Sequence, residues 1–327
     1  MKSVYFIAKS FYSSPLVDLY KELVLGNTSL EVMKKMKRTD LALEAKEAIE
    51  DEGEIQGVVL EKKEEDGITL STLEILSDEG SKKMGKRKGT YITIEMETEK
   101  DENIIAELVR QLERLVKEKR ENCFVLGLGN REITPDALGP LTVDKVIATR
   151  HLVREFGIKM KEKYKLLEVQ ALAPGVMAQT GIEIQEIVRG VVEKTKPDVV
   201  LVIDALAARS IHRLGKTIQL TDTGISPGAG VGNNRKELNQ STLGVEVIAI
   251  GVPTVVDAET IVEDYMEVGL EKSSLTMQEK EQFMCQFKNE KMKGMFMTGQ
   301  DVDQRVKRMS KIISMALNEF TGAYILE

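Results

Sequence analysis

Four stretches of this 327-residue sequence gather residue types that can do chemistry. Gly127-Leu128-Gly129-Asn130 runs on into Thr134-Pro135-Asp136-Ala137-Leu138-Gly139-Pro140, and Asp204-Ala205-Leu206-Ala207-Ala208-Arg209-Ser210 follows the apolar run VVLVI. The other two are the glycine-rich segment from Asp222 to Asn233 and Gly251-Val252-Pro253-Thr254-Val255-Val256-Asp257. Asp204 directly ends a run of buried-type residues, where an unpaired charge is costly, so it must hydrogen-bond, cap the next helix or react. Asp136 sits behind a proline at an expected helix entrance, and capping competes with chemistry there too. Two aspartates delivered to one sheet edge can share a proton, one acting as base toward a water and the other as acid toward a leaving amine. The glycines are less specific. Gly127 and Gly129 permit a tight turn, but Asn130-Arg131-Glu132 does not complete a GxGxxG fingerprint. No GxxxxGK[ST] loop is present, and Gly228, Gly230 and Gly232 suit either turns or an anion cradle. With no GxSxG elbow and neither cysteine in these loops, paired carboxylates are the available hydrolytic apparatus.

The elements that must position these loops read as α/β. FVLGLGN, VVLVIDAL and VEVIAIGVP are too uniformly apolar to be half exposed, and they alternate with helical patterns at TVDKVIATRHLVREF, IEIQEIVRGVVEKTKPD and about Glu259–Val268. That alternation predicts a twisted, mostly parallel sheet flanked by helices, with ligands beyond the carboxyl ends of its strands. Ahead of it, residues 55–62 and 68–76 flank the turn-prone KEEDG and predict a hairpin, and residues 91–97 supply a third strand. Amphipathic helices are expected from Glu102 to Lys119 and from Gln300 to Asn318, and an irregular, Met-rich stretch between Leu270 and Gly299. Residues 1–40 show no strong core pattern and read as a detachable leader.

Bulk composition removes several function classes. A net charge of −7 argues against a generic nucleic-acid binder, and no stretch approaches the ~18 apolar residues of a membrane span. The opening MKSVYFIAKSFYSSPLVDLY lacks the long apolar core and small-residue cleavage site of a secretory signal. Only His151 and His212 are present, which excludes a multi-histidine metal site. Cys123 and Cys285 lack metal-ligand spacing and read as reduced thiols. Lys82, Lys83, Lys86, Arg87 and Lys88 form a basic cluster that suits a solvated turn or a contact with an acidic partner.

Long segments then carry a resemblance. RTDLALEAKE, FVLGLGNREITPDALGP, TRHLV, APGVMAQTGIE, VIDALAARSI, TDTGISPGAGVGNNRKE, TLGVEVIAIGVPTVVDA and FMTGQDVD, collinear from about Arg38 to Asn318, closely resemble the germination protease of endospore-forming bacteria. The resemblance implies an α/β sandwich similar to hydrogenase maturation proteases, with an added N-terminal β-hairpin region. It implies an unusual aspartic-type endopeptidase that degrades small acid-soluble spore proteins, with its two proposed catalytic aspartates falling at Asp136 and Asp204. Glu183, Arg209 and Asp257 are added as supporting or substrate-binding candidates, Arg209 also reading as an ion-pair partner and Glu183 as a helix opener. The family is made as a zymogen that removes its own leader after an acidic residue followed by a large apolar residue and alanine. Thr39-Asp40-Leu41-Ala42 fits that pattern, so cleavage is expected between Asp40 and Leu41. The implied organisation is a leader over 1–40, with Met33 and Met36 as alternative starts, and one peptidase domain over 41–327 containing a hairpin subregion at 53–98. A homotetramer in the cytoplasm of the forespore or spore core is expected, with no metal or cofactor, no direct nucleic-acid binding and no membrane contact. Two other readings stay open: a metal-dependent maturation-type peptidase with carboxylate ligands, and a non-enzymatic nucleotide- or anion-binding protein using the glycine loops.

Overall fold

The computed structural model describes residues 39–49, 55–97, 100–116, 120–230, 235–271, 276, 279, 292 and 294–326. The expected leader before Thr39, Cys285 and most of the Met-rich stretch after Leu270 lie outside the described residues.

The strands are β1 (Val58–Glu65), β2 (Ile68–Ile75), β3 (Gly89–Met96), β4 (Asn122–Gly127), β5 (Glu168–Leu172), β6 (Val199–Ala208), β7 (Thr217–Thr221), β8 (Glu246–Asp257) and β9 (Phe296–Met297). They form one sheet in the order β1-β2-β3-β7-β8-β6-β4-β5, with β9 on β8. The α/β class stands, and the sheet is mixed. β5, β4, β6 and β8 pair in parallel, whereas β1, β2, β3, β7 and β8 pair antiparallel. Connection length explains part of the difference: Asp66 and Gly67, both at positive φ, join β1 to β2, a link too short for any parallel crossover. The hairpin is therefore continuous with the main sheet through β3 and β7.

The parallel strands are apolar on both faces because both faces are covered. On one side the helices Asp101–Leu115 and Val302–Phe320 present Ile104, Leu108, Leu112, Met309, Ile313 and Leu317 to alternate residues of β4, β6 and β8. On the other, the helix Ile184–Thr195 presents Ile184, Val188 and Val192 to Phe124, Leu126, Val200 and Val202. At ~25 cal/mol per Å² of apolar area, each fully buried side chain of this type contributes about 1.5–3 kcal/mol against leaving it in water.

Two expectations are corrected. The helix expected over TVDKVIATRHLVREF is broken: Leu138–Val143 ends where it was to begin, Arg150–Phe156 forms its last part, and the chain between them is tied to distant elements. Asn318 Oδ1 accepts from Ile147 N at 3.0 Å, and Thr149 N donates to Val169 O at 3.0 Å. Asp204 does not end its strand. β6 continues to Ala208, paired to β8 through a bulge that sets Leu206 opposite Pro253 and Ala207 opposite Val255.

Candidate active site

β4 and β6 pair only as far as Gly127 opposite Ile203, and Leu128 N then donates to Ile203 O at 2.8 Å. Beyond that point β6 presents to this side an edge that β4 does not use. The segment Thr39–Glu47 takes it. Asp40 N donates to Ala207 O at 2.9 Å, and Ala207 N donates back to Asp40 Oδ2 at 2.8 Å. Two residues further, the pleat brings Arg209 N to Glu44 Oε2 at 2.7 Å, with Ser210 N on Oε1 at 3.0 Å. Only Asp40 meets this edge through its own backbone; from Ala42 to Glu47 the segment is helical, and Glu44 reaches the end of β6 with its side chain.

Asp40 lines a cleft of about 740 Å³ together with Asp136, Asp204, Glu183, Lys86 and Gln219. Asp136 enters on the 3-10 turn Thr134–Asp136, where its Oδ2 accepts from Asn130 N at 2.7 Å. Gly129 makes that turn feasible: it sits at φ +109, and a Cβ there would lie 2.0 Å from Asp136 O. Asp204 is 6% exposed, and its Oδ1 accepts from Ala205 N at 2.9 Å. Gly230 closes the cleft on Asp40, where a Cβ would lie 2.0 Å from Asp40 Oδ2.

The electrostatics follow from burial and like charge. Burial pushes the Asp204 carboxyl well above the usual carboxylate range, and the negative charges of Asp136 and then Asp40 push it further, against the pull of Ala205 N–H. Burial also raises Asp136, opposed by the Asn130 N–H. Asp40 is raised by burial, with the Ala207 N–H and Lys86 acting against it. A carboxyl that keeps its proton beside one that gives it up is the arrangement a general acid and a general base require.

Of the expected site residues, Asp136, Asp204 and Asp40 come together in the cleft. Glu183 lines it too, as the N-cap residue of the helix Ile184–Thr195, with Arg235 4.0 Å away. Arg209 and Asp257 are not brought into the cleft. The Arg209 guanidinium lies on Asp264 at 2.7 Å, and buried Asp257 accepts from Glu259 N at 2.8 Å at the entrance of the helix Ala258–Glu271. Leu41 is fully buried among Leu206, Ala208, Leu214 and Val256, and Ala42 among Ile55, Leu73, Ile75 and Tyr91.

Sequence reasoning missed Lys86, Gln219 and Glu44. Lys86 was one member of a basic cluster, and only the cap at Gly85, with φ +61 after the helix Asp78–Met84, separates it from the more exposed lysines before it. Gln219 lies in the short run TIQLT, where a long polar side chain amid buried neighbours was the available signal. Among the described residues no group of three or more His, Cys, Asp or Glu side chains is arranged to hold a metal ion, and no helix is long and apolar enough to cross a membrane.

The matches to known proteins cover most of the chain. The germination protease family model, Peptidase_A25, matches residues 35–312. A germination protease of Geobacillus sp. (strain WCH70) is 47% identical over 272 residues, covering 77% of this chain and 72% of its own. That of Clostridium tetani is 42% identical over 305 residues, covering 86% of this chain and 94% of its own. Among solved structures, the [NiFe] hydrogenase maturation protease HycI from Thermococcus kodakarensis KOD1 is similar over 64% of this chain and 99% of its own, at 17% identity and a TM-score of 0.33. With a family model spanning most of its length and relatives of this identity, the chain belongs to the germination protease family and is a peptidase.

Proposed function

We propose that the protein is a self-processing endopeptidase of spore germination that degrades small acid-soluble spore proteins, using Asp136 and Asp204 to direct a water onto the scissile carbonyl. The observation that carries this reading is the convergence of Asp40, Asp136 and Asp204 on one cleft, with the Asp204 carboxyl raised by burial and by both neighbouring charges. The ionised member of the pair takes a proton from water as the water oxygen bonds to the carbonyl carbon. The protonated member then gives its proton to the leaving nitrogen as the C–N bond breaks. With three carboxylates crowded together, holding one proton among them costs less than ionising all three.

The chain's own Asp40–Leu41 bond is the proposed first substrate. Its acidic side chain is held by Ala207 N, its leucine is buried in an apolar cluster, and its alanine is fully buried in another. That order of acidic, large apolar and alanine is the pattern the family resemblance implies for the cut. While it stays in place, the segment covers the β6 edge a substrate would need, which supports a silent precursor. A homotetramer and a spore-core location belong to the same proposal, testable by sedimentation and spore fractionation. The functional test is direct. The purified chain should yield a product beginning at Leu41 and then cut a small acid-soluble spore protein, and Asp136→Asn and Asp204→Asn should do neither. Cleavage at the unsubstituted rate by either variant removes the aspartate mechanism.

A further inference from the structure

The carbonyl of Asp40 is the one the proposed reaction attacks, and two side chains already point donors at it. Lys86 Nζ lies 2.9 Å from Asp40 O, and Gln219 Nε2 lies 3.3 Å from the same oxygen. Neither carries this contact alone. Lys86 Nζ also donates to Thr39 O at 3.1 Å, and Gln219 Oε1 accepts from Ala42 N at 2.6 Å. Gln219 thus brackets the bond, donating to the carbonyl before it and accepting from an amide after it. The residues just before and after the bond are held in register on both sides.

Both donors are mounted rigidly. Gln219 is 6% exposed in β7, with its backbone paired to Thr93 of β3 and Gly251 of β8. Lys86 follows the Gly85 cap, and its carbonyl is tied by Ser81 Oγ at 2.7 Å. Burying an ammonium among backbone carbonyls is costly unless opposite charge lies near; burial lowers the Lys86 amine, and the charges of Asp40 and Glu44 offset part of that. A peptide segment could be anchored here without a buried cation. A cation placed on the carbonyl oxygen is worth most when that oxygen turns negative, in a site that excludes water.

We infer that Lys86 and Gln219 form the donor pair that polarises the scissile carbonyl and holds the oxyanion formed when water adds to it. This inference rests on the proposed function. When the water oxygen bonds to the Asp40 carbonyl carbon, the carbonyl electron pair moves to oxygen, facing Lys86 Nζ and Gln219 Nε2. Collapse returns the pair and expels the Leu41 nitrogen, which takes its proton from the protonated aspartate. Lys86 stays protonated throughout. A spore-protein substrate that replaces the leader would offer its carbonyl to the same two donors.

The test follows single-turnover self-cleavage of the full chain, read as appearance of an N-terminus at Leu41, in the unsubstituted protein, Asp136→Asn, Lys86→Met, Lys86→Arg and Gln219→Glu. Gln219→Glu keeps the acceptor for Ala42 N and removes the donor to Asp40 O. In parallel, hydrogen exchange at residues 40–45 reads how firmly the segment is held, and thermal unfolding reads the fold. The expected result is a loss of about 10²-fold or more in Lys86→Met and Gln219→Glu with the segment still protected, and partial recovery in Lys86→Arg. Unchanged rates in both variants overturn the donor pair while leaving the proposed function standing. A rate that falls only in step with lost protection also overturns it, by making both residues anchors. If the unsubstituted chain cuts no faster than Asp136→Asn, the proposed function fails, and the donor pair fails with it.

Discussion

The two halves of the sheet meet at β8 and handle charge in opposite ways. In the parallel half, Asp136 and Asp204 are brought together with a third carboxylate, Asp40, and burial raises all three. Each is held by a backbone N–H: that of Asn130, of Ala205 and of Ala207 respectively. In the antiparallel half, carboxylates meet cations. Arg213 donates to Glu47 and Glu95 at 2.8 Å and lies 3.3 Å from Glu44. Glu44 is also held by the N–H groups of Arg209 and Ser210 and by the Thr39 hydroxyl. Like charge crowded in low dielectric makes a proton cheap to move, whereas opposite charges in mutual contact make a segment hard to move. The first half supplies the reacting carboxyls; the second grips the segment and, in Lys86 and Gln219, points donors at its carbonyl.

The sharpest way to break that comparison is to neutralise the reacting half. Asp204→Asn and Asp136→Asn should each cut self-processing by about 10²–10⁴-fold while leaving the protection of residues 40–45 intact. Loss of protection in either variant would mean that the cleft carboxylates also grip. The converse substitution is Glu44→Ala. It leaves the Arg209 and Ser210 N–H groups without their acceptor and removes one of three carboxylates around Arg213, at a cost of about 3 kcal/mol, and so should raise hydrogen exchange at residues 40–45 by about 10²-fold. The strands β4 and β6 should keep their exchange rates. A uniform rise across the sheet would show that the two halves open together.

How much of this was legible beforehand follows the same division. The parallel half announced itself: VVLVIDAL and VEVIAIGVP are apolar on both faces, and strands of that kind end at ligand sites. Asp204 was identifiable because a charge stands out in such a run. That β6 runs on past it was not, because the continuation Ala205–Ala208 depends on pairing with β8 through a bulge. The parallel half also hid the five-residue β5, and the antiparallel half, although β3 was identified, offered its weakest signal at β7. β1 and β2 were visible from the turn between them, but β7 is five residues long and was not identified, so Gln219 went with it. Lys86 was indistinguishable from Lys82, Lys83 and Lys88 by type, and what separates it is a chain reversal at Gly85. The break in the helix expected between Thr142 and Phe156 was unreadable for a similar reason, since Asn318 and Val169, both distant in sequence, divert it.

A smaller effect concerns stability. The Asp204 carboxyl binds its proton more tightly folded than unfolded, because its folded value is raised well above the ordinary 3.8. Between 3.8 and that raised value the folded state holds more proton than the unfolded state, so this residue's contribution to stability falls as pH rises through the window. Asp204→Asn removes the titration and keeps an acceptor for Ala205 N. It should therefore unfold at higher temperature than the unsubstituted protein at neutral pH, by the equivalent of about 0.5–2 kcal/mol, with the difference closing near pH 4. Equal stability at both pH values would mean that Asp204 is not strained by its surroundings, and the contrast between the halves would lose its energetic basis.

The finest test lies where the halves touch, at Asp40. Its charge raises Asp204, after burial and Asp136, so removing it should let Asp204 release its proton more readily. Asp40→Asn keeps the oxygen that accepts from Ala207 N and leaves the backbone bonds to Ala207 and Lys86 untouched. The segment should stay bound, and the alkaline limb of the single-turnover pH profile should move to lower pH. That direction follows only if a protonated Asp204 is needed for the cut, since a mechanism limited by the ionised partner would show its shift on the acid limb. An unmoved alkaline limb with normal segment protection would therefore separate the grip of Asp40 from the chemistry of Asp204. It would place the required proton on Asp136 instead.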